Sequence, residues 1–328
     1  MDLDSLSILL IWTAIAIYAG AFVAFAFDLA ARSQAAGDAQ TAAQKPALVG
    51  ASVGGGGAAS APAVPAPAAP AAPRRRFVMA RIGMALTVLG FLFHLTGTVL
   101  RGIAAERVPW ANMYEFAMMG TLLIIAVFIA VNIWMDLRYL GTFILGRIVV
   151  LLGGAATSFY VEIVPLKDPL KSVWLIIHVF VASLSTAFFG LAFALSVLQL
   201  MQGRRERRLA AGEAKTGPGF LATLPVADRL ESLAYRFVTV GFILWTFTLI
   251  AGSIWAQESW GRYWGFDVKE TWTFIIWVVY AGYIHARATR GWRGARSAWL
   301  SIIGFAAVIF NFTIVNMFFK GLHAYSGL

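Results

Sequence analysis

Long apolar runs separated by short polar segments dominate the chain. Each run is close to or above the roughly 20 residues that a helix needs to cross about 30 Å of hydrocarbon. The pattern therefore predicts an all-α fold, a polytopic membrane helix bundle with about eight transmembrane helices. The predicted spans are residues 6–31, 78–103, 113–135, 139–160, 173–201, 231–255, 271–288 and 297–319.

Composition supports this fold class and excludes several functions. The 328 residues are 60% hydrophobic and 13% charged, which is more apolar surface than a soluble domain can bury. Cysteine is absent, so the chain supplies no disulfide, thiolate metal site or thiol relay of its own. The net charge of +10 comes from basic residues between the apolar runs. That placement is typical of cytoplasmic membrane loops, and we expect a lipid bilayer rather than nucleic acid as the partner.

Basic residues also predict the orientation. One set of connecting segments is rich in arginine, whereas residues 104–112, 161–172 and 256–270 carry nearly balanced charge. The positive-inside rule makes the arginine-rich set cytoplasmic, which leaves both termini and residues 256–270 outside. The arginines of this set are Arg74, Arg75, Arg76, Arg138, Arg204, Arg205, Arg207, Arg208, Arg287, Arg290, Arg293 and Arg296.

Residues 33–76 differ in composition from the rest of the chain. They contain a glycine run at 54–57 and a proline-alanine tract at 62–73, with little to bury and many helix breakers. We predict a disordered Ala/Gly/Pro-rich cytoplasmic linker here. It separates a first transmembrane span at 1–32, too long for the apolar region of a cleaved signal, from a seven-span domain at 77–328.

The chain has four histidines, and their depths differ. His178 lies about six residues, or about 9 Å, inside the outer end of its predicted span. His323 lies just beyond the outer end of the last span. Two neutral imidazoles can hold a planar haem iron from opposite faces. We therefore predict that His178 and His323 ligate haem at the external surface.

The other two histidines lie at other levels. His285 is near the cytoplasmic end of its span and is a candidate ligand for a second haem. His94 is a further candidate, although a hydrogen bond to a neighbouring helix explains a buried histidine equally well. His94 and His285 differ in depth by roughly 12 Å at helical rise, so they make a poor pair. We expect the second ligand opposite His285 to come from another chain.

An aromatic segment at 255–272 lies between two predicted spans, on the predicted outer side. Its rings suit a flat apolar cofactor with acidic edges. Asp267 and Glu270 can either orient a ligand histidine or cap the next helix. Arg101 and Arg262 are candidates to pair with haem propionates, because guanidinium matches a carboxylate in a two-point fork. The candidate cofactor-binding rings are Trp255, Trp260, Trp264, Phe266 and Trp272.

The stretch from Trp260 to Trp272, WGRYWGFDVKETW, resembles the tryptophan-rich WWD motif of haem-handling proteins. With His178, His323 and the later Tyr283-Ile-His285-Ala-Arg287, it makes residues 77–328 resemble the CcsA (ResC) family of System II cytochrome c maturation. One departure is Phe266, which stands where the family often has tryptophan.

This resemblance implies cytochrome c biogenesis. It implies that haem b is received from the cytoplasmic side and presented on the outer face of the plasma membrane, for thioether attachment to a Cys-x-x-Cys-His apocytochrome c. It also implies a CcsB (ResB) partner, His178 and His323 at the external haem, and His285 at a transmembrane haem. Thiol-reducing proteins would act indirectly, on the substrate.

Whether the chain is an enzyme stays open at this point. The resemblance favours a subunit of a holocytochrome c synthase, and a haem-delivery subunit without synthase activity needs the same haem site. A membrane haem electron carrier is the third alternative. It would require paired histidines at matching depths, which the scattered positions do not provide.

Overall fold

The computed structural model describes residues 2–44, 78–166, 168–213, 217–319 and 321–323. These ranges contain helices, short 3₁₀ turns and connecting segments, and no strand. The helices are α1 (Leu3–Gln44), α2 (Val78–Ala104), α3 (Met113–Trp134), α4 (Gly141–Ser158), α5 (Val173–Ala210), α6 (Ala227–Trp260), α7 (Val268–Thr289), α8 (Ala295–Phe312) and the short α9 (Ile314–Phe318).

The predicted all-α polytopic bundle is confirmed. Seven helices in the described part of the chain are long and apolar enough to cross a membrane, namely α1 to α6 and α8 continued by α9. The remaining predicted span, 271–288, forms the 22-residue helix α7. It is not among those seven; its ends carry Lys269, Glu270 and Arg287. At 1.5 Å per residue, α7 is nevertheless about 33 Å long.

Helix α1 is longer than the sequence pattern predicts. It continues to Gln44, so residues 33–44 of the predicted linker are helical. The reason is local, because this stretch is rich in alanine and glutamine, which are good helix formers, and contains no proline. The rest of the predicted linker, residues 45–76, lies outside the described residues.

The helices pack as two groups. Helix α1 packs against α2 and α4, whereas α5 packs against α6 and α8, and α7 against α8. Helix α3 joins the groups because it packs against both α4 and α5. Small residues allow the closest approaches, as is common between membrane helices. At Gly97 an added Cβ would lie 3.1 Å from the carbonyl oxygen of Ser7, whose hydroxyl donates to the Gly97 carbonyl at 2.7 Å.

Both ends of the described chain lie at one end of the bundle. Near the amino terminus, Asp4 accepts hydrogen bonds from Arg101 at the end of α2 and from Tyr160 after α4. Near the carboxyl terminus, the Asn316 amide contacts the Met113 sulfur at the start of α3. Residues 261–267, which join α6 to α7, lie at this same end, where Asp267 contacts His323. The two termini and this connection thus lie at one end of the bundle, as the sequence predicts.

Candidate functional site

His178 stands in the second turn of α5 and faces α6. Helix α5 begins after Ser172, whose hydroxyl caps it by accepting from the Trp174 amide at 3.1 Å. The His178 Nδ1 lies 2.9 Å from the carbonyl oxygen of Thr248. Because a carbonyl only accepts, Nδ1 carries the proton in this hydrogen bond. The Nε2 atom of His178 then keeps its lone pair, as in a metal-ligating histidine.

His323 is held in the same way, by a hydrogen bond through Nδ1. Its Nδ1 lies 2.7 Å from Oδ2 of Asp267, and the carboxylate accepts. Because Nδ1 is engaged with Asp267, Nε2 is the ring nitrogen of His323 that remains for a ligand. This hydrogen bond lowers the pKa of Asp267 below its ordinary value. The charged form of the carboxylate is favoured as a result.

Asp267 also begins α7. It forms a capping box with Glu270, and its Oδ1 accepts from the Leu322 amide at 3.2 Å. The Glu270 carboxylate accepts from the amides of Gly265 and Asp267 and so folds the preceding loop onto the helix. Asp267 combines the two roles that the sequence left open, whereas Glu270 acts as a cap.

The indole of Trp255 connects the two histidines. Its ring stacks on His178 with centroids 6.0 Å apart and meets His323 edge-on at 5.3 Å. Its Nε1 donates to the carbonyl oxygen of Pro169 at 2.8 Å, and the ring is 2% exposed. Trp260 packs edge-on against both Trp255 and His323. We call His178, Trp255, Trp260, Asp267 and His323 the imidazole–indole cluster.

The other predicted rings of the segment lie outside this cluster. Trp264 packs edge-on against Phe266 and Phe274, along the outer surface of α7. Phe266 is 81% exposed and has a φ of 57°, in the left-handed region that a bulky side chain avoids. Trp272 instead packs on Phe310 of α8, with centroids 4.3 Å apart.

Arg262 is the predicted arginine that reaches the cluster. Its guanidinium carbon lies 5.9 Å from the centre of the Trp260 ring, and its Nη1 is 3.6 Å from Oε1 of Glu270. Neither of these two atoms, both buried, makes a hydrogen bond within the described residues. The arginine therefore retains unused donors beside the aromatic rings.

Arg101 lies in a different side-chain cluster, although the sequence made it a candidate to pair with a haem propionate. It is fully buried, and its donors are spent on Glu115 at 3.1 Å, Asp4 at 2.6 Å and the Val161 carbonyl at 2.6 Å. The structure thus places it in a charged network joining α1, α2 and α3, and not against the imidazole–indole cluster.

His94 is likewise remote from the cluster. It is fully buried where α2 meets α1, and its Nδ1 lies 3.4 Å from the Tyr18 hydroxyl. Its ring meets the Tyr18 ring edge-on. Its Nε2 has no hydrogen-bond partner in the described part of the protein. The surroundings are those of a packed helix interface.

His285 lies near the other end of α7, and its side chain is exposed. A buried carboxylate fixes this end of the helix: Glu231 pairs with Arg287 and also accepts from the Gly294 amide at 2.8 Å and the Ser297 hydroxyl at 3.1 Å. No hydrogen bond or ring contact to the His285 imidazole occurs within the described ranges. Its imidazole is therefore available at the bundle surface.

Two supporting residues on α6, Thr248 and Gly252, escaped the sequence reasoning. Gly252 makes room for His178, because an added Cβ there would lie 2.7 Å from the imidazole Cε1. Thr248, Gly252 and Trp255 share one face of α6, so helical spacing from the tryptophan could have found them. The contact of Lys269 with Asn316, which ties α7 to α9, was likewise not predicted from the sequence.

Comparisons with known proteins identify the family of this chain. The family model described as "Cytochrome C assembly protein" matches residues 89–323. The chain is similar to the cytochrome c biogenesis protein CcsA of Guillardia theta, with 34% identity over 271 residues, 75% of this chain and 86% of that protein. It is similar to the CcsA of Heterosigma akashiwo, strain NIES-293, with 33% identity over 248 residues, 67% of this chain and 77% of that protein.

A cyanobacterial relative matches over a shorter stretch. The CcsA of Synechococcus sp. strain CC9902 is 39% identical over 176 residues, 49% of this chain. The match spans 58% of that relative's length, less than two thirds. The family match and the helix pattern together confirm the resemblance to CcsA. The chain therefore belongs to the cytochrome c assembly protein family, and its described helices are those of a multi-pass membrane protein.

Proposed function

We propose that this protein binds haem b through His178 and His323 and presents it, on the outer face of the plasma membrane, for covalent attachment to apocytochrome c. One observation carries the proposal. Both imidazoles contact the Trp255 indole, and each donates its Nδ1 proton to a fixed acceptor. Each therefore keeps an Nε2 lone pair for iron.

The remaining residues of the site fit haem as a substrate. Trp255 and Trp260 supply apolar ring surface for a porphyrin. Arg262 has a buried nitrogen without a hydrogen-bond partner, which suits a propionate carboxylate. The Trp255 indole contacts both imidazoles, so it has to move away from at least one of them when iron binds between the two histidines. The two histidines, the two indoles and Arg262 are the residues that we expect to hold haem.

The proposed reaction uses little chemistry from the chain itself. Haem supplies vinyl groups, across which the two thiols of a Cys-x-x-Cys-His segment add to form thioethers. Since the chain has no cysteine, both thiols come from apocytochrome c and are kept reduced by other proteins. Thr248 and Asp267 hold each imidazole in the tautomer that binds iron. The chain thus contributes placement, and the histidine of the substrate replaces one imidazole.

His285 supports a second, inner haem site completed by a partner. Its imidazole is exposed on α7, and the clamp between Glu231 and Arg287 fixes the backbone two residues away. A membrane partner of the CcsB (ResB) type would supply the opposite ligand. Haem would then pass from the cytoplasmic side to the cluster, with the complex acting as holocytochrome c synthase.

Absorption spectroscopy of the purified protein, with and without the partner, tests the proposal. We expect a bis-histidine haem spectrum, and we expect His178→Ala and His323→Ala to abolish cytochrome c maturation. Added imidazole should partly restore it. His94→Gln is the matched control and should keep the external haem. Full maturation in both alanine variants would refute the external site. Haem binding without thioether formation by the complete complex would instead indicate a delivery subunit.

His285→Ala tests the inner site separately. We expect this variant to lose the haem that wild-type protein acquires in complex with its partner, while external haem supplied in detergent still binds. Unchanged haem loading of the complex would refute the role of His285.

A further inference from the structure

A pocket of about 370 Å³ lies at the end of the bundle opposite to the imidazole–indole cluster. One wall is the beginning of α2, with Arg81, Met84, Ala85 and Val88. The other wall is the turn after α3, with Asp136 and Arg138. Neither the haem proposal nor the resemblance to CcsA uses these residues.

Exposed apolar side chains at the end of α3 indicate that the pocket opens at a membrane surface. Trp134 is 78% exposed and Ile133 is 72% exposed, directly before the turn. Tryptophan exposed at a helix end is typical of the boundary between hydrocarbon and water. The α2 wall has an arginine followed at helical spacing by Met84, Ala85 and Val88, so one face runs from a charge into an apolar strip.

The turn holds its charges rigidly. Asn132 accepts from the Leu137 amide at 3.0 Å and donates to the Phe128 carbonyl at 2.8 Å, which fixes the backbone. Arg138 donates to Asp136 through Nε at 2.7 Å and Nη2 at 2.6 Å. This fork lowers the pKa of Asp136 below its ordinary value, which favours the ionised carboxylate further.

Part of this charge remains available to a ligand. The Nη1 of Arg138 makes no hydrogen bond within the part of the chain that the structure describes, and neither does the exposed side chain of Arg81. Asp136 also faces solvent, with a side chain that is 58% exposed. The pocket therefore offers two guanidinium groups and one carboxylate above an apolar strip.

We propose that this pocket binds a phospholipid whose headgroup carries both a phosphate and an ammonium group, as in phosphatidylethanolamine. The phosphate would lie between Arg81 and the Nη1 of Arg138, because guanidinium pairs well with phosphate oxygens. The ammonium would lie at Asp136, and an acyl chain would follow Met84, Ala85 and Val88. Such a lipid bridges α2 and the end of α3, as headgroups do in basic pockets between membrane helices.

Native mass spectrometry of the full-length, delipidated protein tests the proposal. The probes are phosphatidylethanolamine, phosphatidylglycerol and inorganic phosphate, each added separately. We expect wild-type protein to retain phosphatidylethanolamine in preference to phosphatidylglycerol. The double variant R81Q/R138Q should retain about tenfold less, since a charge-assisted hydrogen bond is commonly worth at least that factor. Arg293→Gln is the matched control, an exposed arginine elsewhere that should leave retention unchanged.

Two further variants keep the test decisive if the double variant folds poorly. Asp136→Asn should abolish or reverse the preference for phosphatidylethanolamine, and Ala85→Trp should reduce retention of both lipids by filling the apolar strip. Equal retention of both lipids by wild type and Asp136→Asn would overturn the proposal. So would competition by inorganic phosphate at the same concentration as the lipid, which would indicate a free-anion site.

Discussion

Two polar clusters lie at the same end of this bundle, and they differ in whether their acceptor atoms already accept hydrogen bonds. In the charged network, Glu115 accepts from Arg101, from Arg107 and from the Ala111 amide, and Arg101 in turn binds Asp4. In the imidazole–indole cluster, each histidine uses Nδ1 and leaves Nε2 open. The Glu115 carboxylate therefore holds helices together, even though the buried Nε of Arg107 has no hydrogen-bond partner within the described residues. An imidazole with an open Nε2 can instead bind a ligand.

The largest expected effect is on the charged network. Glu115→Ala leaves Arg101 and Arg107 without their shared carboxylate, and breaking a buried ion pair in this way commonly costs about 3–5 kcal/mol. We expect the free energy of unfolding in detergent to fall by that order. Haem bound per folded molecule should stay unchanged. If the variant is as stable as wild type but loses haem, the assignment of the two clusters is reversed.

Gly252→Ala should act mainly on haem binding, whereas Glu115→Ala acts mainly on stability. The added methyl group would lie 2.7 Å from the His178 ring, which must move away from Thr248. We expect haem affinity to fall by at least about tenfold, while overpacking lowers stability by about 1–3 kcal/mol. Haem titration by absorbance measures the first effect.

Gly282→Ala is the control for this substitution. Gly282 is also a helical glycine, but its position has open space around it. We expect normal haem affinity and slightly higher stability, because alanine is the better helix former by about 1 kcal/mol. Equal haem affinity in both alanine variants would show that His178 does not depend on its present contact.

A smaller effect is expected from Asp267→Asn. Asparagine still caps α7, but the charge that orients His323 is lost. We expect a several-fold loss of haem affinity, compared with little change in Glu270→Gln, which alters the cap without touching His323. Retention of full affinity by Asp267→Asn would limit Asp267 to a capping role.

The same carboxylate gives a pH dependence. Because the folded-state pKa of Asp267 is lowered, its stabilising contribution is present above the ordinary aspartate pKa of about 3.9. It is lost as pH falls through the lowered folded value. Unfolding measured from neutral pH into the acid range should show a smaller acid-induced loss of stability in Asp267→Asn than in wild type.

The smallest predicted change concerns Phe266. Its left-handed backbone costs an L-residue roughly 1–2 kcal/mol, so Phe266→Gly should raise the free energy of unfolding by about 1 kcal/mol. Tyr263→Gly, at an exposed ring without positive φ, should instead lower it slightly. If the strained ring serves haem attachment, maturation should fall in Phe266→Gly despite the gain in stability. Unchanged maturation would remove Phe266 from the site.

The sequence predicted the helices well because long apolar runs report directly on membrane spans. It also brought His178, His323 and the aromatic segment to one end, because alternating spans fix the end at which each segment lies. The partner of Arg101 could not be predicted in the same way. Asp4 is 97 positions away, and the contact depends on how α1 rotates against α2. Which tryptophans join the imidazole–indole cluster could not be predicted for the same reason. The rotation of each helix about its axis decides that Trp255 faces His178 while Trp272 faces α8.

The double attachment of Asp267 has a mechanical consequence. The Asp267 carboxylate caps the start of α7 and also accepts a hydrogen bond from His323. His285 lies on the same helix, about 27 Å further along its axis. A helix is stiff along its axis, so a protein that docked at His285 and displaced α7 would also displace Asp267 at its other end. Such a displacement of α7 would change the hydrogen bond between Asp267 and His323, and the position of one imidazole would depend on that of the other.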